Sequence, residues 1–361
     1  MQIDKDFEGG NIKVLSIDGD TVYLDNELRD TPDDWFYWAF RITGAQGRTM
    51  NFKFSDKDKL RVGYYGAAVS PDNNMWRWSG TGDESMTGFS YEFGPDEKVV
   101  YFCHDMRYGT LRFYSLCDRL GIPVKTLAVT EKNRDVPYIR YGAGKDVVLL
   151  TARHHACEST GNYVMEGIIE EMANDMPSDL SIIAVPFVDI DGVIDGDQGK
   201  NRRPHDHNRD YSGTSIYPSI DAIRKLADKE KFTYQFDLHS PWHYSGRHDL
   251  CFGVRVSEET NSRHDIFGRF FEEETRNDTT SYQYRLENDL PVNVEWNIKS
   301  DMGEGRSCTS FFNALPDIKL AYTLETPYFG VSDNIVSQSR LIAMGRCMAR
   351  AIKRNAANIC G

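Results

Sequence analysis

Short alternating runs of apolar and polar residues mark the first third of the chain. They occur at residues 22–24, 35–40 and 51–54, and clusters of Gly and Asp separate them. Such runs between turn residues are typical of half-buried strands. The pattern predicts an all-β sandwich domain over residues 1–130.

The pattern changes at about residue 131, where longer apolar runs alternate with stretches of helical period. The apolar runs lie at residues 147–150, 181–188 and 232–238, and the helical stretches at residues 162–174, 219–228 and 337–355. Strands that are apolar throughout are typical of sheets covered by helices on both faces. We predict an α/β domain over residues 131–361, with a mostly parallel mixed sheet flanked by helices. Its ligand site is expected beyond the carboxyl ends of the strands.

Composition and charge narrow the classes of partner and compartment. A net charge of −13 over 361 residues argues against nucleic acid and anionic membranes as partners, because phosphate-rich surfaces require a cationic footprint. No apolar stretch is long enough to span a bilayer, and the first residues lack the form of a signal peptide. The seven cysteines are scattered without C-x-x-C spacing, so we expect reduced thiols and a cytoplasmic location.

Two strand-end segments carry residues suited to a metal. His155 and Glu158 follow the apolar run 147–150 at i, i+3 spacing, and His239 ends the run 232–238. Two histidines and one glutamate form a known catalytic zinc set that leaves one coordination position open. Asp237 lies two residues before His239 on the same strand face, where it can orient that imidazole. We predict one Zn²⁺ per chain.

Further polar residues fit the chemistry of such a centre. Glu325 ends the apolar stretch 320–325, and a carboxylate in an apolar run is costly to bury unless it has a partner or a task. Beside a metal-activated water it would act as the general base. Asn208 and Arg209 follow a basic cluster at residues 200–203, and together they can hold a carboxylate at two points.

The order of these motifs resembles that of the zinc carboxypeptidases of the carboxypeptidase A type, over about residues 131–355. Residues 34–41, 70–72 and 101–108 are similar to the β-sandwich that precedes the catalytic domain in the cytosolic carboxypeptidase branch. The resemblance implies a zinc-dependent metallocarboxypeptidase that hydrolyses the C-terminal peptide bond. Its substrate would be a peptide or small amide with a free carboxylate.

The resemblance also assigns roles to individual residues. The zinc ligands would be His155, Glu158 and His239, and Glu325 would be the general base. Asn208 and Arg209 would bind the terminal carboxylate of the substrate. The scissile carbonyl would be polarised by Arg202 or Arg203, of which Arg203 is slightly preferred. Arg306, in the segment 303–306, would favour acidic C-terminal side chains, although the adjacent charge of Glu304 opposes this effect.

One departure from the family pattern leaves alternatives open. The family tyrosine expected about twenty residues before the catalytic Glu has no counterpart, because residues 293–321 contain no Tyr. One alternative is an N-acyl amino acid amidohydrolase of the desuccinylase or aspartoacylase type, although such enzymes lack this long N-terminal sandwich. Another is a non-catalytic peptide-binding pseudo-enzyme, against which Glu325 argues. A phosphohydrolase centre built from residues 153–155 and 247–249 ranks last.

Overall fold

Two packed β-sheets form the N-terminal part of the protein. The computed structural model describes residues 1–55, 61–80, 86–243, 245–298 and 305–359. The strands of this part are β1 (Gln2–Asp4), β2 (Lys13–Asp18), β3 (Thr21–Asp25), β4 (Ala39–Thr43), β5 (Thr49–Phe54), β6 (Ala68–Ser70), β7 (Arg77–Trp78), β8 (Gly88–Glu92) and β9 (Val99–Cys103). One sheet has the order β1-β4-β9-β6-β7 and the other the order β2-β3-β5-β8.

Aromatic side chains fill the space between these two sheets. Along β5, Met50, Phe52 and Phe54 are buried while Thr49 and Lys53 are exposed, which is the period-two alternation expected of a strand with one covered face. The rings of the core contact one another across the sandwich; they are Trp38, Phe40, Phe52, Phe89 and Phe102. The predicted sandwich is therefore present.

A seven-stranded mixed sheet forms the centre of the second part. Its strands are β10 (Val124–Val129), β11 (Asp135–Gly142), β12 (Asp146–Ala152), β13 (Leu180–Val185), β14 (Phe232–His239), β15 (Phe252–Val254) and β16 (Leu320–Glu325), and β17 (Gly330–Val331) pairs with β18 (Asn334–Ile335) in a separate hairpin. The sheet order is β10-β11-β13-β12-β14-β16-β15. The four strands β13, β12, β14 and β16 are parallel, and the outer strands pair antiparallel. The predicted fold class is confirmed.

Helices pack against this sheet and against one another. The α-helices are α1 (Thr110–Leu120), α2 (Thr160–Asn174), α3 (Ile190–Asp195), α4 (Pro218–Lys229), α5 (Asn261–Asn277), α6 (Cys308–Asn313) and α7 (Gln338–Ile359). Two glycines allow α2 and α7 to cross closely, since a Cβ added at Gly167 would lie 2.0 Å from the carbonyl oxygen of Ile342 and one added at Gly345 would lie 2.1 Å from that of Val164. In the described part of the chain, no helix is long and apolar enough to cross a membrane.

The border between the two parts is a continuous packed surface. β10 lies within the predicted N-terminal range 1–130 but pairs with β11 of the large sheet. Phe113 and Leu116 of α1 belong to the same hydrophobic core as β12 and α2. The predicted boundary at residue 130 stays a prediction, and the strand and helix just before it pack with the second part.

Candidate metal centre and active-site cavity

Three side chains converge at the carboxyl end of the large sheet. The Nδ1 atom of His155 lies 2.9 Å from Oε1 of Glu158, and the Nδ1 atom of His239 lies 2.7 Å from Oε2 of the same carboxylate. One ligand atom from each residue falls within 4.8 Å of the others. All three side chains are buried, and Glu158 is fully so. The structure therefore brings together the three predicted metal ligands.

The positions of the ligands follow from the parallel strands that carry them. His155 and Glu158 lie between the end of β12 and the start of α2, and His239 is the last residue of β14. β14 and β16 are parallel neighbours, and His239 stands directly opposite Glu325 in their pairing. Because parallel strands end at the same edge of a sheet, residues far apart in sequence meet there.

Buried carboxylates hold the two imidazoles from behind. Asp237 lies 2.9 Å from Nε2 of His239 and 2.9 Å from Nδ1 of His154. Asp206 lies 3.7 Å from Nε2 of His155. A carboxylate on the outer nitrogen of a ligand imidazole fixes the orientation of the ring and raises its basicity. The predicted orienting role of Asp237 thus agrees with its position.

The charges at the centre favour a bound cation. Burial alone would raise the pKa of Glu158, but His155 and Lys200 hold this pKa well below its usual range. Burial opposes the charge of His239, but Asp237 and Glu158 raise the pKa of its imidazole well above the ordinary value. A proton on the His239 imidazole exchanges for a metal ion when one binds. Two imidazoles and one carboxylate are a donor set suited to zinc, so the residues present fit this metal.

Glu325 lies beside this centre as a carboxylate without a partner on one oxygen. Its side chain is 7% exposed, and its Oε2 atom has no hydrogen-bond partner among the described residues. Burial and the neighbouring charge of Glu158 raise the pKa of Glu325 to about 7, while His239 opposes this rise. A carboxyl group with a pKa near neutrality can both accept and donate a proton at physiological pH.

A cavity of about 670 Å³ opens in front of the centre. Its lining includes two metal-ligand candidates, the predicted base and both predicted carboxylate-binding residues: His155, His239, Glu325, Asn208 and Arg209. A 3-10 turn, His207–Arg209, carries the last two residues, and Asp206 caps it by accepting from the backbone N–H of Asn208. The amide oxygen of Asn208 accepts from the backbone N–H of Cys308 at 3.0 Å, which orients the Asn208 side chain.

The structure divides the basic cluster at residues 200–203 between three environments. Lys200 lines the cavity and its Nζ contacts Glu158. Arg202 points away into an aspartate cluster formed by Asp30, Asp189 and Asp197, and it does not line the cavity. Arg203 is exposed and is also absent from the lining. The basic cluster thus supplies the cavity with a lysine, and neither predicted arginine reaches it.

Arg306 likewise lies outside the cavity lining. Its guanidinium donates to the carbonyl of Ser310 at 2.7 Å and stacks over Phe311. The predicted neighbours Gly303 and Glu304 lie outside the described residues. Besides Arg209, the cavity is lined by Arg255, whose guanidinium lies 2.7 Å from Asp265 and 3.3 Å from Asp289. Because Arg306 does not line the cavity, it has no direct contact with a ligand bound there.

The N-terminal part of the chain contributes to the cavity lining. Trp35 lines it together with Trp242, and the two rings lie 5.0 Å apart. The ammonium of Lys200 lies 5.1 Å from the centre of the Trp35 ring. No tyrosine is among the described residues that line the cavity, and its aromatic lining consists of three tryptophans, the third being Trp296. Sequence reasoning missed these residues, although Lys200 stood within the basic cluster it singled out.

Comparisons with known proteins agree with this architecture. Residues 3–104 match the family model of the cytosolic carboxypeptidase N-terminal domain. A metallo-carboxypeptidase from Burkholderia cenocepacia superposes with a TM-score of 0.80 at 19% identity, over 99% of both chains. The fold is that of the metallo-carboxypeptidases. A metallo-carboxypeptidase from Pseudomonas aeruginosa, solved in complex with (2-guanidinoethylmercapto)succinic acid, has a TM-score of 0.79 at 19% identity over 99% of this chain and 100% of that one.

Sequence relatives support the same carboxypeptidase resemblance. An uncharacterized protein of Zymomonas mobilis is 24% identical over 81% of each chain. Cytosolic carboxypeptidase 6 of Caenorhabditis elegans is 25% identical over 61% of this chain, and the match spans 56% of that protein. The match to cytosolic carboxypeptidase 2 of Xenopus tropicalis spans 20% of that protein. The predicted resemblance to the cytosolic carboxypeptidase branch is confirmed. The predicted enzyme class, metallocarboxypeptidase, is also the class named for these relatives and structural neighbours.

Proposed function

We propose that this protein is a zinc-dependent metallocarboxypeptidase that hydrolyses the C-terminal peptide bond of its substrate. The observation that carries the proposal is the convergence, in one cavity, of His155, His239 and a buried Glu325 whose Oε2 atom has no hydrogen-bond partner among the described residues. Glu158 joins the two imidazoles from the floor of the site. A binding protein has no need of an unpartnered buried carboxylate beside a metal set, because such a group is costly to keep.

His155, Glu158 and His239 would hold one Zn²⁺. When bound, this ion supplies Lewis acidity toward water and the scissile carbonyl. Asp237 would fix the His239 ring through its contact with Nε2 at 2.9 Å, and Asp206, 3.7 Å from Nε2 of His155, would act on that imidazole through its charge. Their role is to position the ligands.

Asn208 and Arg209 would bind the free carboxylate of the substrate. Both line the cavity on one short turn whose backbone is held by Asp206. The guanidinium of Arg209 donates one bond to the carbonyl of Asn208, which leaves further N–H groups for a ligand. Paired arginine and amide donors recognise a carboxylate at two points, and this would hold the last residue of a peptide in one orientation.

Glu325 would accept a proton from the attacking water and donate it to the leaving amine. Its position opposite His239 in the strand pairing keeps it beside the metal ligands. The elevated pKa of its carboxyl group, about 7, suits a residue that must both take up and release a proton near neutral pH.

We assign the polarisation of the scissile carbonyl to Lys200, in place of Arg202 or Arg203. Lys200 is the member of the basic cluster that lines the cavity, and its ammonium is held between Glu158 and the Trp35 ring. A fixed cation beside a developing oxyanion lowers the barrier without reorganisation. Arg202 has its guanidinium engaged by three carboxylates and would act on stability.

The proposed substrate is a peptide or small amide with a free carboxylate, and the proposed compartment is the cytoplasm. The cavity is large enough for a terminal residue, and Trp35 and Trp242 in its lining offer apolar surface to the substrate. The six cysteines that the structure describes are buried and unpaired, as expected for a reducing compartment.

A zinc and turnover assay on four proteins tests the proposal. Purified wild type is expected to hold about one zinc and to release the last residue of N-blocked dipeptides. A His155→Ala/His239→Ala variant is expected to lose the metal, while Glu325→Gln keeps it and loses turnover. His248→Ala, which changes a cavity histidine outside the ligand set, is the matched control and should retain zinc.

Each contrary outcome of this assay points to a defined alternative. Wild type that binds no zinc after loading refutes the ligand assignment. Zinc-loaded wild type that binds peptides without turnover supports the pseudo-enzyme, and cleavage of N-acyl amino acids in preference to peptides supports the desuccinylase type.

A further inference from the structure

The first hairpin of the N-terminal sandwich leaves a strand edge open. β2 is the outermost strand of the four-stranded sheet, and among the described residues it pairs with β3 alone. All six of its residues are exposed. Such an edge presents a row of backbone N–H and C=O groups to which another strand can pair.

The exposed edge is apolar in its middle. Val14, Leu15 and Ile17 are 40%, 52% and 51% exposed. Val14 and Ile17 stand opposite Leu24 and Val22 of β3, which are fully buried in the sandwich core. Since residues opposite each other in an antiparallel pair project from the same face, Val14 and Ile17 extend the core face to the rim of the sheet. Edge strands that avoid association usually carry charge or proline at such positions.

The sequence of β2 is complementary to itself when two copies run antiparallel. A two-fold axis between Leu15 and Ser16 sets Lys13 of each copy opposite Asp18 of the other, and Val14 opposite Ile17. Opposite charges and apolar pairs directly across two strands are stabilising, whereas like charges are destabilising. Within the part of the chain that the structure describes, neither Lys13 nor Asp18 forms an ion pair, so both remain available.

We propose that β2 is a self-association surface through which two copies of this chain form a two-fold symmetric, antiparallel strand pair. The pair joins the four-stranded sheets of the two copies into one continuous sheet. The irregularity between Val14 and Ser16 interrupts the strand near the axis, which limits the number of ladder bonds. A single strand edge also covers less than the roughly 1,600 Å² of a standard interface. The dimer is therefore weak and depends on concentration.

Charge exchange between the two ends of β2 tests this pairing. Sedimentation of the full chain over a range of concentrations is expected to show a monomer–dimer equilibrium for the wild type. Lys13→Asp and Asp18→Lys, each alone, place like charges opposite each other twice and weaken association roughly tenfold. An equimolar mixture of the two variants, and the Lys13→Asp/Asp18→Lys double variant, restore opposite charges and are expected to recover the wild-type dissociation constant.

The control is Lys53→Asp, which makes the same change at an exposed lysine of β5, an inner strand of the same sheet. It should leave association unchanged, and thermal unfolding of every variant checks that the fold is retained. A wild type that stays monomeric at all concentrations overturns the proposal. A dimer that neither single variant weakens, or that the mixture of single variants does not restore, overturns it as well.

Discussion

Replacement of Arg202 by Met separates a structural role of this arginine from a catalytic one. Its guanidinium lies 2.7 Å from Asp189, 3.1 Å from Asp30 and 3.1 Å from Asp197. The Arg202 side chain is 13% exposed and that of Asp189 only 1%. Methionine retains most of the side-chain packing but leaves the three carboxylates without their shared cation.

The size of the effect follows from this burial. Removal of one partner of a buried ion pair costs about 3–5 kcal/mol, because the remaining charge stays desolvated. Burial alone would raise the pKa of Asp189, but Arg202 holds this pKa below its usual value. This contribution to stability is present above the unfolded pKa of about 3.9 and is lost as the pH falls through the lower folded pKa. Burial and the charge of Asp30 raise the pKa of Asp197 to about 6 even beside Arg202. The difference between wild type and variant should therefore be largest near pH 7 and should shrink as the pH falls toward about 4, because the carboxylates of the variant take up protons over this range.

Urea unfolding followed by fluorescence and circular dichroism measures this difference. Arg203→Met is the matched control: it removes the neighbouring, exposed arginine and should change the unfolding free energy by less than about 0.5 kcal/mol. The reasoning is refuted if Arg202→Met unfolds within about 1 kcal/mol of wild type at pH 7. A loss of turnover at unchanged stability would instead return the carbonyl-polarising role to Arg202.

Three further predictions concern the cavity and the helix crossing. Lys200→Met should keep zinc and lower kcat roughly 10²–10³-fold, while Lys200→Arg should recover part of this loss. Steady-state kinetics on metal-loaded protein measures both effects. An unchanged kcat in Lys200→Met would contradict the assignment of carbonyl polarisation to Lys200. The acid limb of kcat/KM should lie between about pH 4.3, the ordinary Glu value, and about 7, because a protonated Glu325 cannot act as the base. An acid limb that persists unchanged in the residual activity of Glu325→Gln would exclude Glu325 as the group that titrates. Gly167→Ala should lower the unfolding free energy by about 1–3 kcal/mol despite the better helix propensity of Ala, because the added Cβ would lie 2.0 Å from the backbone oxygen of Ile342. Urea unfolding measures this loss, and an unchanged unfolding free energy would show that α7 can shift.

Some features of the site were predictable because they depend on order along the chain. His155, His239 and Glu325 each follow an apolar run, and apolar runs separated by helices form parallel strands whose ends share one edge. Strand-end position therefore sufficed to bring these three residues together. The alternating pattern of the first hundred residues likewise predicted the sandwich, since period-two burial leaves a direct signal in the sequence.

Other features depend on where a loop or a second sheet lies in space. Within residues 200–203, adjacent basic side chains point to a cavity, to an aspartate cluster and to solvent, and nothing in their spacing distinguishes them. The ammonium of Lys200 also lies against the ring of Trp35, which belongs to the connection between β3 and β4 in the N-terminal part of the chain.

The sequence alone indicated the two-part architecture and placed His155, His239 and Glu325 at strand ends, because periodicity and strand-end position are local properties of the chain. Only the tertiary structure decided which member of the basic cluster at residues 200–203 lines the cavity, and that Arg255 lines it while Arg306 does not. It also placed β2 at the edge of its sheet, where β3 is its pairing partner within the described part of the chain. These outcomes depend on packing between segments distant in sequence, where the direction of a side chain is set by neighbours that no local pattern encodes.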